Sequence, residues 1–142
     1  MRVSQIMNTN VVSVTTDESA TLAARLLNRH NIGSLPVCSL DGRIRGILTD
    51  RDIVLRCIAA ENDPSTTKVG DIMSRGVVSV SPDDDVGEAA RIMAADQVRR
   101  LPVTQDGRIV GMLSLGDMAK RHEYDMEAAK ALSDISSNIK RV

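Results

Sequence analysis

The chain of 142 residues contains the same ordered set of motifs twice. Val3–Met7 and Val11–Val14 return 66 residues later as Val69–Met73 and Val77–Val80. This period is longer than most solenoid units and only two copies are present, so a stack of repeats does not explain it. We therefore predict two half-domains related by a pseudo-two-fold axis, an arrangement that creates paired clefts.

The later part of each repeat predicts a β-hairpin. Leu35–Val37 is matched by Leu101–Val103, both with the sequence Leu-Pro-Val. The Asp41–Gly42 pair that follows is matched at an offset of 65 by Asp106–Gly107, so the second copy is one residue shorter. An Asp-Gly pair between apolar runs is typical of tight hairpins because both positions tolerate positive φ.

The remaining signals complete a β-α-β-β-α order in each repeat. The β-branched runs at 11–14 and 77–80 predict buried strands. Capping-box patterns at 15–18 and 81–84 predict that a helix follows each strand at once. The predicted apolar stripes of these helices are Leu22, Ala23, Leu26 and Leu27 in the first repeat, and Val86, Ala89, Ala90 and Met93 in the second. A second helix follows each hairpin. The fold class expected is therefore α/β (α+β), with two repeats of this order and a helical tail.

The repeat divides the chain into four parts. We predict a first repeat over 1–62, a linker over 63–68, a second repeat over 69–122 and a helical C-terminal tail over 123–142. The tail has no counterpart in the first repeat, so it either covers an exposed face or joins a neighbouring subunit. Its predicted helix depends on the spacing of Met126, Ala129, Ala131, Leu132 and Ile135.

Composition excludes several functional classes. The formal net charge of -1 argues against a nucleic-acid partner and a polybasic membrane anchor. No apolar stretch approaches the roughly 18 residues of a spanning helix, and the N-terminus lacks a signal-peptide pattern. Two cysteines predict a reduced, cytoplasmic protein without a disulfide framework. Since Trp and Phe are absent and Tyr124 is the single Tyr, aromatic platforms for stacked bases are excluded through most of the chain.

Each second helix begins with a hydroxyl and, three residues later, a carboxylate: Thr49 with Asp52, and Ser114 with Asp117. One interpretation is structural, because this pattern satisfies free backbone N–H groups at a helix start. The other is functional, with the hydroxyl meeting a phosphate or ribose oxygen and the carboxylate accepting from ribose hydroxyls. A helix N-terminus favours an anion, and both roles can coexist.

The element order, the Leu-Pro-Val strands and the Gly-x-Leu-Thr/Ser-x-x-Asp motifs resemble a tandem pair of cystathionine-β-synthase (CBS) domains over roughly residues 1–122. The whole chain is similar to stand-alone bacterial CBS-pair proteins. The resemblance implies two packed sheets, two clefts that bind AMP, ADP, ATP or S-adenosylmethionine, and a homodimer. The ligand-binding residues that it implies are Thr49, Arg51, Asp52, Ser114, Asp117, Arg99, Arg100, Val12, Ser13, Val78 and Ser79.

The two sites are expected to differ in charge. Arg99 and Arg100 precede the Leu-Pro-Val strand of the second repeat, where family members place phosphate-binding cations, whereas the first repeat has 33–34, Gly-Ser. Arg51 in the first repeat is replaced by Gly116. These arginines also have structural interpretations, as solvated cations near a helix end.

Other reactive residues give weaker predictions. Cys38, Cys57, His30 and His122 lack the spacing of a zinc site, so no metal ligands are predicted. The acidic run 83–85 is either a helix start or a place for magnesium beside a bound nucleotide. No nucleophile and base form a recognisable pair, so we do not expect an enzyme.

The sequence therefore predicts a non-enzymatic sensor. It would bind an adenosyl ligand without an obligatory cofactor, and signal to an unidentified protein effector by a conformational shift. The alternative is a dimerisation or partner-binding protein whose clefts are empty or hold zinc.

Overall fold

The computed structural model describes residues 1–120 and 125–137. It confirms the mixed α/β class, with helices and two sheets in the described part of the chain. The contacts divide the chain into two compact units, one formed by 12–77 and the other by 1–11 together with the chain from Val78 onward. The predicted boundaries follow the sequence repeat and stay a prediction. Residues 1–11, which begin the first repeat, belong to the unit that holds the second repeat. Residues 69–77, which begin the second repeat, belong to the unit that holds the first.

The unit formed by 12–77 contains a sheet in the order β1-β2-β3, with β1 parallel to β2 and β2 antiparallel to β3. A wider, π-type helical segment, Val54–Ile58, continues α2. The elements are β1 Val14–Thr15, α1 Ala20–His30, β2 Ser34–Cys38, β3 Ile44–Thr49, α2 Asp50–Ile53 and α3 Val69–Ile72.

The second unit begins with a short 3-10 helix, Val3–Gln5, and contains the antiparallel pair β4-β5. Val80 joins this pair through a single parallel bridge to Val103. Its backbone N–H donates to the Pro102 carbonyl at 3.1 Å, and its carbonyl accepts from the Thr104 N–H at 2.9 Å. The elements are α4 Val86–Asp96, β4 Arg100–Gln105, β5 Arg108–Ser114, α5 Leu115–Ala119 and α6 Asp125–Ser137.

The predicted strands at 11–14 and 77–80 are shorter than expected. Val14 and Val80 are buried, whereas Val12 is half-buried and Val78 is 39% exposed. In each run only the last valine enters a ladder, so the residues before it are available to line a surface.

The predicted helix starts at 15–18 and 81–84 are wrong by four residues, since the observed N-caps are Ser19 and Asp85. Both four-residue segments instead form turns. The Thr15 hydroxyl donates to the Glu18 carboxylate, and the Asp84 carboxylate accepts from the Ser81 N–H. Ser, Thr and Asp side chains can bond nearby backbone outside a helix as well as at its start, so the capping pattern did not locate the helix.

Each hydrophobic core is built from one face of its helices. In α4 the predicted stripe of Val86, Ala89, Ala90 and Met93 is buried, as expected. In α1, by contrast, the predicted stripe included Leu22, which is 39% exposed. The buried positions of α1 are Ala20, Ala23 and Leu27.

Both predicted hairpins are present, and their loops differ. Asp106 and Gly107 both have positive φ, at 55° and 78°, as the tight turn requires. In the first repeat only Gly42 of the pair has positive φ, at 83°. The extra residue of the first repeat lies in this loop, where Leu40 is 95% exposed.

The tail packs on its own unit. Ala128, Ala131 and Ile135 of α6 are buried in the core that also contains α4 and α5. The described part of the tail therefore covers a face of its unit, while Leu132 stays 43% exposed and Ala129 is exposed. The Met126 side chain and residues 123–124 and 138–142 of the predicted helical tail lie outside the described part of the chain. No helix within the described residues is long and apolar enough to cross a membrane.

The leading segment of each repeat packs in the unit that holds the other repeat. Asn8 and Met112 exchange backbone hydrogen bonds of 2.8 and 2.9 Å, so the first segment pairs with the edge of β5 through one bridge. Ser74 and Ile47 do the same at 2.9 and 3.0 Å, so the second segment pairs with the edge of β3. Sheet edges are thus covered in both units by backbone pairing.

Candidate functional site

The first hydroxyl–carboxylate pair forms a capping box at the start of α2. The Thr49 hydroxyl accepts from the Asp52 N–H at 3.0 Å, and the Asp52 carboxylate accepts from the Thr49 N–H at 3.0 Å. This confirms the structural interpretation of the motif. One carboxylate oxygen is committed to this box, so any ligand would meet a carboxylate that is already oriented.

Asp52 has further partners that the sequence did not suggest. It is 8% exposed, its Oδ1 lies 3.7 Å from an Arg56 guanidinium nitrogen, and the Ser74 hydroxyl donates to Oδ2 at 3.4 Å. Arg56 also donates to the carbonyls of Ile72 and Met73 at 3.0 and 3.1 Å. Asp52 therefore connects α2 to the 72–74 segment. The i,i+4 spacing could have indicated Arg56, but no local signal identifies Ser74.

The second pair forms the same box at the start of α5 with fewer additional contacts. The Ser114 hydroxyl accepts from the Asp117 N–H and the Asp117 carboxylate accepts from the Ser114 N–H, both at 3.1 Å. Within residues 1–120 and 125–137, no other side chain or backbone group bonds the Asp117 carboxylate. Its second oxygen is therefore more available to a ligand than that of Asp52.

The fold brings the predicted arginines of the second repeat beside this helix start. The Leu115 N–H donates to the Arg99 carbonyl at 3.0 Å, and Arg100 is paired with Ser114 across β4 and β5. Both arginines are exposed, and neither side chain has a hydrogen bond or ion pair among the described residues. The backbone of Arg99 and Arg100, whose side chains have no partner among the described residues, thus lies next to the Ser114–Asp117 box.

The equivalent backbone of the first repeat carries different charges. The Asp50 N–H donates to the Gly33 carbonyl at 3.1 Å, and Ser34 is paired with Thr49. Asp50 and Arg51, both exposed, occupy the first turn of α2. With Asp52 and Arg56, the charges around this helix start alternate in sign and sum to zero. Among the described residues that correspond to positions 33, 34 and 49–52, the second helix start has two cations, Arg99 and Arg100, against one carboxylate, Asp117.

The predicted serines before the first strands lie one strand away from these helix starts. The Ser79 hydroxyl accepts from the Thr104 hydroxyl at 3.1 Å, and Ser13 makes the corresponding bond with the Cys38 thiol. Since β2 lies between β1 and β3, Ser13 and Thr49 are not neighbours in the sheet. Within each unit, Val12, Ser13, Val78 and Ser79 therefore do not join the helix-start cluster.

The cysteines and histidines give no metal centre in the described part of the chain. Cys38 and Cys57 are buried and free, and no three His, Cys, Asp or Glu side chains among residues 1–120 and 125–137 are grouped to hold an ion. Burial raises the pKa of the Cys38 thiol, while the hydrogen bond with Ser13 acts in the opposite direction. His30 is exposed, and His122 lies outside the described residues.

Comparison with known proteins identifies the class that this fold and these motifs define. The family model of the CBS domain matches residues 3–58 and again residues 69–123. The chain belongs to the CBS domain family and carries two copies of the domain.

Individual relatives agree with this assignment. The chain is 38% identical over 134 residues to the CBS domain-containing protein YhcV of Bacillus subtilis, covering 94% of both proteins. It is 39% identical over 115 residues to hypoxic response protein 1 of Mycobacterium tuberculosis, covering 81% of this chain and 80% of the relative.

Two solved structures carry information about ligands. The crystal structure of hypoxic response protein 1 with two coordinated zinc ions superposes with a TM-score of 0.79 and 37% identity, over 85% of this chain and 98% of that one. The CBS domain pair of protein MJ0100, in complex with 5'-methylthioadenosine and S-adenosyl-L-methionine, gives a TM-score of 0.73 and 27% identity, over 84% of this chain and 94% of that one.

Proposed function

We propose that this CBS pair is a regulatory module that binds an adenosine-containing ligand at its helix starts, with AMP, ADP or ATP preferred over S-adenosylmethionine. The observation that carries the proposal is the cluster at the start of α5. There an oriented carboxylate, Asp117, lies beside Arg99 and Arg100, for which the described residues supply no side-chain partner. The complex of the MJ0100 pair with two adenosyl compounds supports the same ligand class.

Each group in the cluster suits one part of such a ligand. The free oxygen of Asp117 can accept from ribose hydroxyls, while Arg99 and Arg100 can donate two parallel N–H bonds to phosphate oxygens. In the absence of Trp and Phe, the adenine would have to contact aliphatic side chains, namely Met112 on β5 or, across β4 from the helix start, the exposed Val78. Burying apolar purine surface there gains about 25 cal/mol per Å².

The first repeat would supply a weaker phosphate site. Arg51 is the one cation of this repeat that was predicted to bind phosphate, and Asp50 and Asp52 precede and follow it in the sequence. Asp52 already interacts with Arg56 and Ser74. We therefore infer that ligand binding depends more strongly on Asp117 than on Asp52.

Signalling in this proposal is a population shift. A ligand can favour one conformation only as far as it binds that conformation better than the other, so no catalytic step is needed. The module would act as a cytoplasmic homodimer read by a protein effector. Sedimentation velocity of the full chain tests the dimer directly, and a monomer at all concentrations would contradict this part of the proposal.

Titration calorimetry of the full chain with ATP, ADP, AMP and S-adenosylmethionine tests the site. We expect Asp117→Ala to weaken nucleotide binding by at least about tenfold and Asp52→Ala by less than about threefold, since an interaction of about 1.4 kcal/mol is tenfold in Kd. Asp117→Asn and Asp52→Asn keep the side-chain shape and serve as matched controls for folding. Equal losses in the two repeats would contradict the ranking.

The alternative is a dimerisation or partner-binding protein with empty or zinc-holding clefts. The zinc-containing structure of hypoxic response protein 1 supports this alternative. A thermal-shift panel separates the two functions, because a ligand at about 100 times its Kd adds about 2.7 kcal/mol to stability. A shift with an adenosyl compound supports the sensor. A shift with zinc and with no adenosyl compound supports the alternative.

A further inference from the structure

The unit formed by 12–77 contains an open cleft that the candidate site does not use. Its volume is about 640 Å³, within the range of about 300–1,000 Å³ typical of small-molecule sites. The lining comes from the turn after β1, the β2–β3 hairpin and the α3 region, and it includes none of the predicted ligand-binding residues of this unit. Its polar and charged members are Thr16, Asp17, Ser39, Arg45, Lys68, Asp71 and Arg75.

Two arginines of this cleft lie on chain segments that are joined by backbone hydrogen bonds. Ile47 and Ser74 exchange hydrogen bonds of 3.0 and 2.9 Å, which places Arg45 and Arg75 on neighbouring chain segments. A Cβ on Gly46 would lie 2.7 Å from the Ser74 carbonyl oxygen, so only glycine allows this approach. The backbone positions of the two arginines are therefore fixed by the pairing at this sheet edge.

In the described part of the chain, no protein group neutralises these two cations. Both side chains are exposed, and neither has a hydrogen bond or ion pair within residues 1–120 and 125–137. Lys68 instead lies 3.7 Å from Asp17, and Asp71 also lines the cleft. The cleft has three cations against two carboxylates, with one carboxylate already paired. Like charges held together in a concave surface favour an anion from solution.

The second unit provides an internal reference for this cleft. Arg2 and Asp83 form an ion pair at 3.5 Å there, at the positions equivalent to Lys68 and Asp17. The same backbone pairing is also present, between Asn8 and Met112. However, the positions of Arg45 and Arg75 are occupied by Val110 and Thr9. The ion pair is therefore present in both units, whereas the second unit forms the same fold without the two arginines.

We propose that this cleft is a second ligand site, which binds a small molecule bearing a phosphate or diphosphate group through Arg45 and Arg75. Guanidinium groups bind phosphate oxygens bidentately, and two of them can engage adjacent phosphates. Lys68 and the Thr16 hydroxyl complete the polar lining. The site is independent of the adenosyl site proposed above, so either can exist without the other.

The test is calorimetric titration of the full chain with inorganic pyrophosphate at constant ionic strength. The key variant is Arg45→Val with Arg75→Thr, which installs the residues that the same fold carries in the second repeat. Arg25→Gln with Arg29→Gln removes the same charge from the exposed surface of α1 and is the matched control. We expect the Kd for pyrophosphate to rise at least tenfold in the first variant and less than twofold in the control.

A second variant and a second measurement keep the result decisive. Arg45→Gln with Arg75→Gln covers the case in which the first variant fails to fold. Amide chemical shifts on pyrophosphate addition should change at 44–46 and 68–75. Loss of binding only in Arg99→Gln with Arg100→Gln, equal losses in the cleft and control variants, or no binding of pyrophosphate would each overturn the proposal. Binding of an acidic peptide in place of pyrophosphate would overturn the small-molecule assignment.

Discussion

The starts of α2 and α5 have the same capping box with different surroundings. Thr49 with Asp52 and Ser114 with Asp117 make the same two reciprocal hydrogen bonds. Around α2, however, Arg56 and Ser74 interact with the carboxylate. Beside the start of α5 lie Arg99 and Arg100, whose side chains have no partner among the residues that the structure describes. The duplicated motif therefore caps a helix in both repeats, whatever its role in binding. Its capacity for a ligand is set by neighbours that differ between the repeats.

The largest difference expected between the two units is the loss of stability when alanine replaces the glycine of β3, Gly46, or of β5, Gly111. A Cβ on Gly46 would lie 2.7 Å from both the Met73 sulfur and the Ser74 carbonyl oxygen. On Gly111 it would lie 2.6 Å from the Met7 sulfur but 3.2 Å from the nearest backbone oxygen. Because a methionine end can move and a paired backbone cannot, we expect Gly46→Ala to cost about 3 kcal/mol and Gly111→Ala about 1 kcal/mol.

Urea denaturation of both glycine variants measures this difference. Gly33→Ala is the control, since its Cβ would lie 3.6 Å from the nearest atom, at ordinary contact distance. A control variant as unstable as Gly46→Ala, or equal costs at the two edges, would show that close backbone approach is not the cause.

A smaller difference is expected in the stability of the capping boxes. Removing either carboxylate loses a cap worth about 1 kcal/mol. Asp52→Ala also removes the contacts with Ser74 and the half-exposed Arg56, so we expect a total of about 2 kcal/mol, against about 1 kcal/mol for Asp117→Ala. Urea midpoints without ligand provide the measurement. A costlier Asp117→Ala would mean that the additional partners of Asp52 contribute nothing.

The smallest expected effect concerns the pair of Ser13 and Cys38, which corresponds to Ser79 and Thr104. Burial raises the pKa of the Cys38 thiol above its ordinary value of 9.0. The unfolded chain then loses this proton first, so the free energy of unfolding falls as pH rises through that range. Cys38→Thr removes this contribution and restores the hydroxyl pair of the second repeat.

Urea midpoints at about pH 8 and pH 10 measure the effect of the thiol. We expect Cys38→Thr to change stability at the lower pH by less than about 1 kcal/mol and to lose less stability at the higher pH. The same pH dependence in both proteins would exclude Cys38 as its source.

The sequence predicted what local chemistry determines. The capping boxes at Thr49 and Ser114, the Asp-Gly hairpins and the buried stripe of α4 each depend on residues within a few positions of one another. Those features were therefore visible in the repeat. The approach of Arg99 to α5 was also accessible, because it follows from the hairpin register that brings Arg100 opposite Ser114.

Features that depend on distant backbone were not visible. Ser74 contacts Asp52, and Arg75 reaches the same cleft as Arg45, because the segment 72–75 pairs with the edge of β3. Nothing in the local pattern states which sheet that segment joins. The helix starts at Ser19 and Asp85 were also missed, since the preceding turns use the same hydroxyl and carboxylate chemistry as a cap.

The exchange of leading segments bears on the ancestry of the chain. A gene fragment encoding a single repeat would lack the segment that extends its β3 or β5 in the intact protein, because that segment is encoded with the other repeat. The exposed edge would be completed most directly by the same segment of a second copy, as in a domain-swapped dimer. In the intact chain both segments are supplied by one polypeptide, so each edge is paired without a second copy.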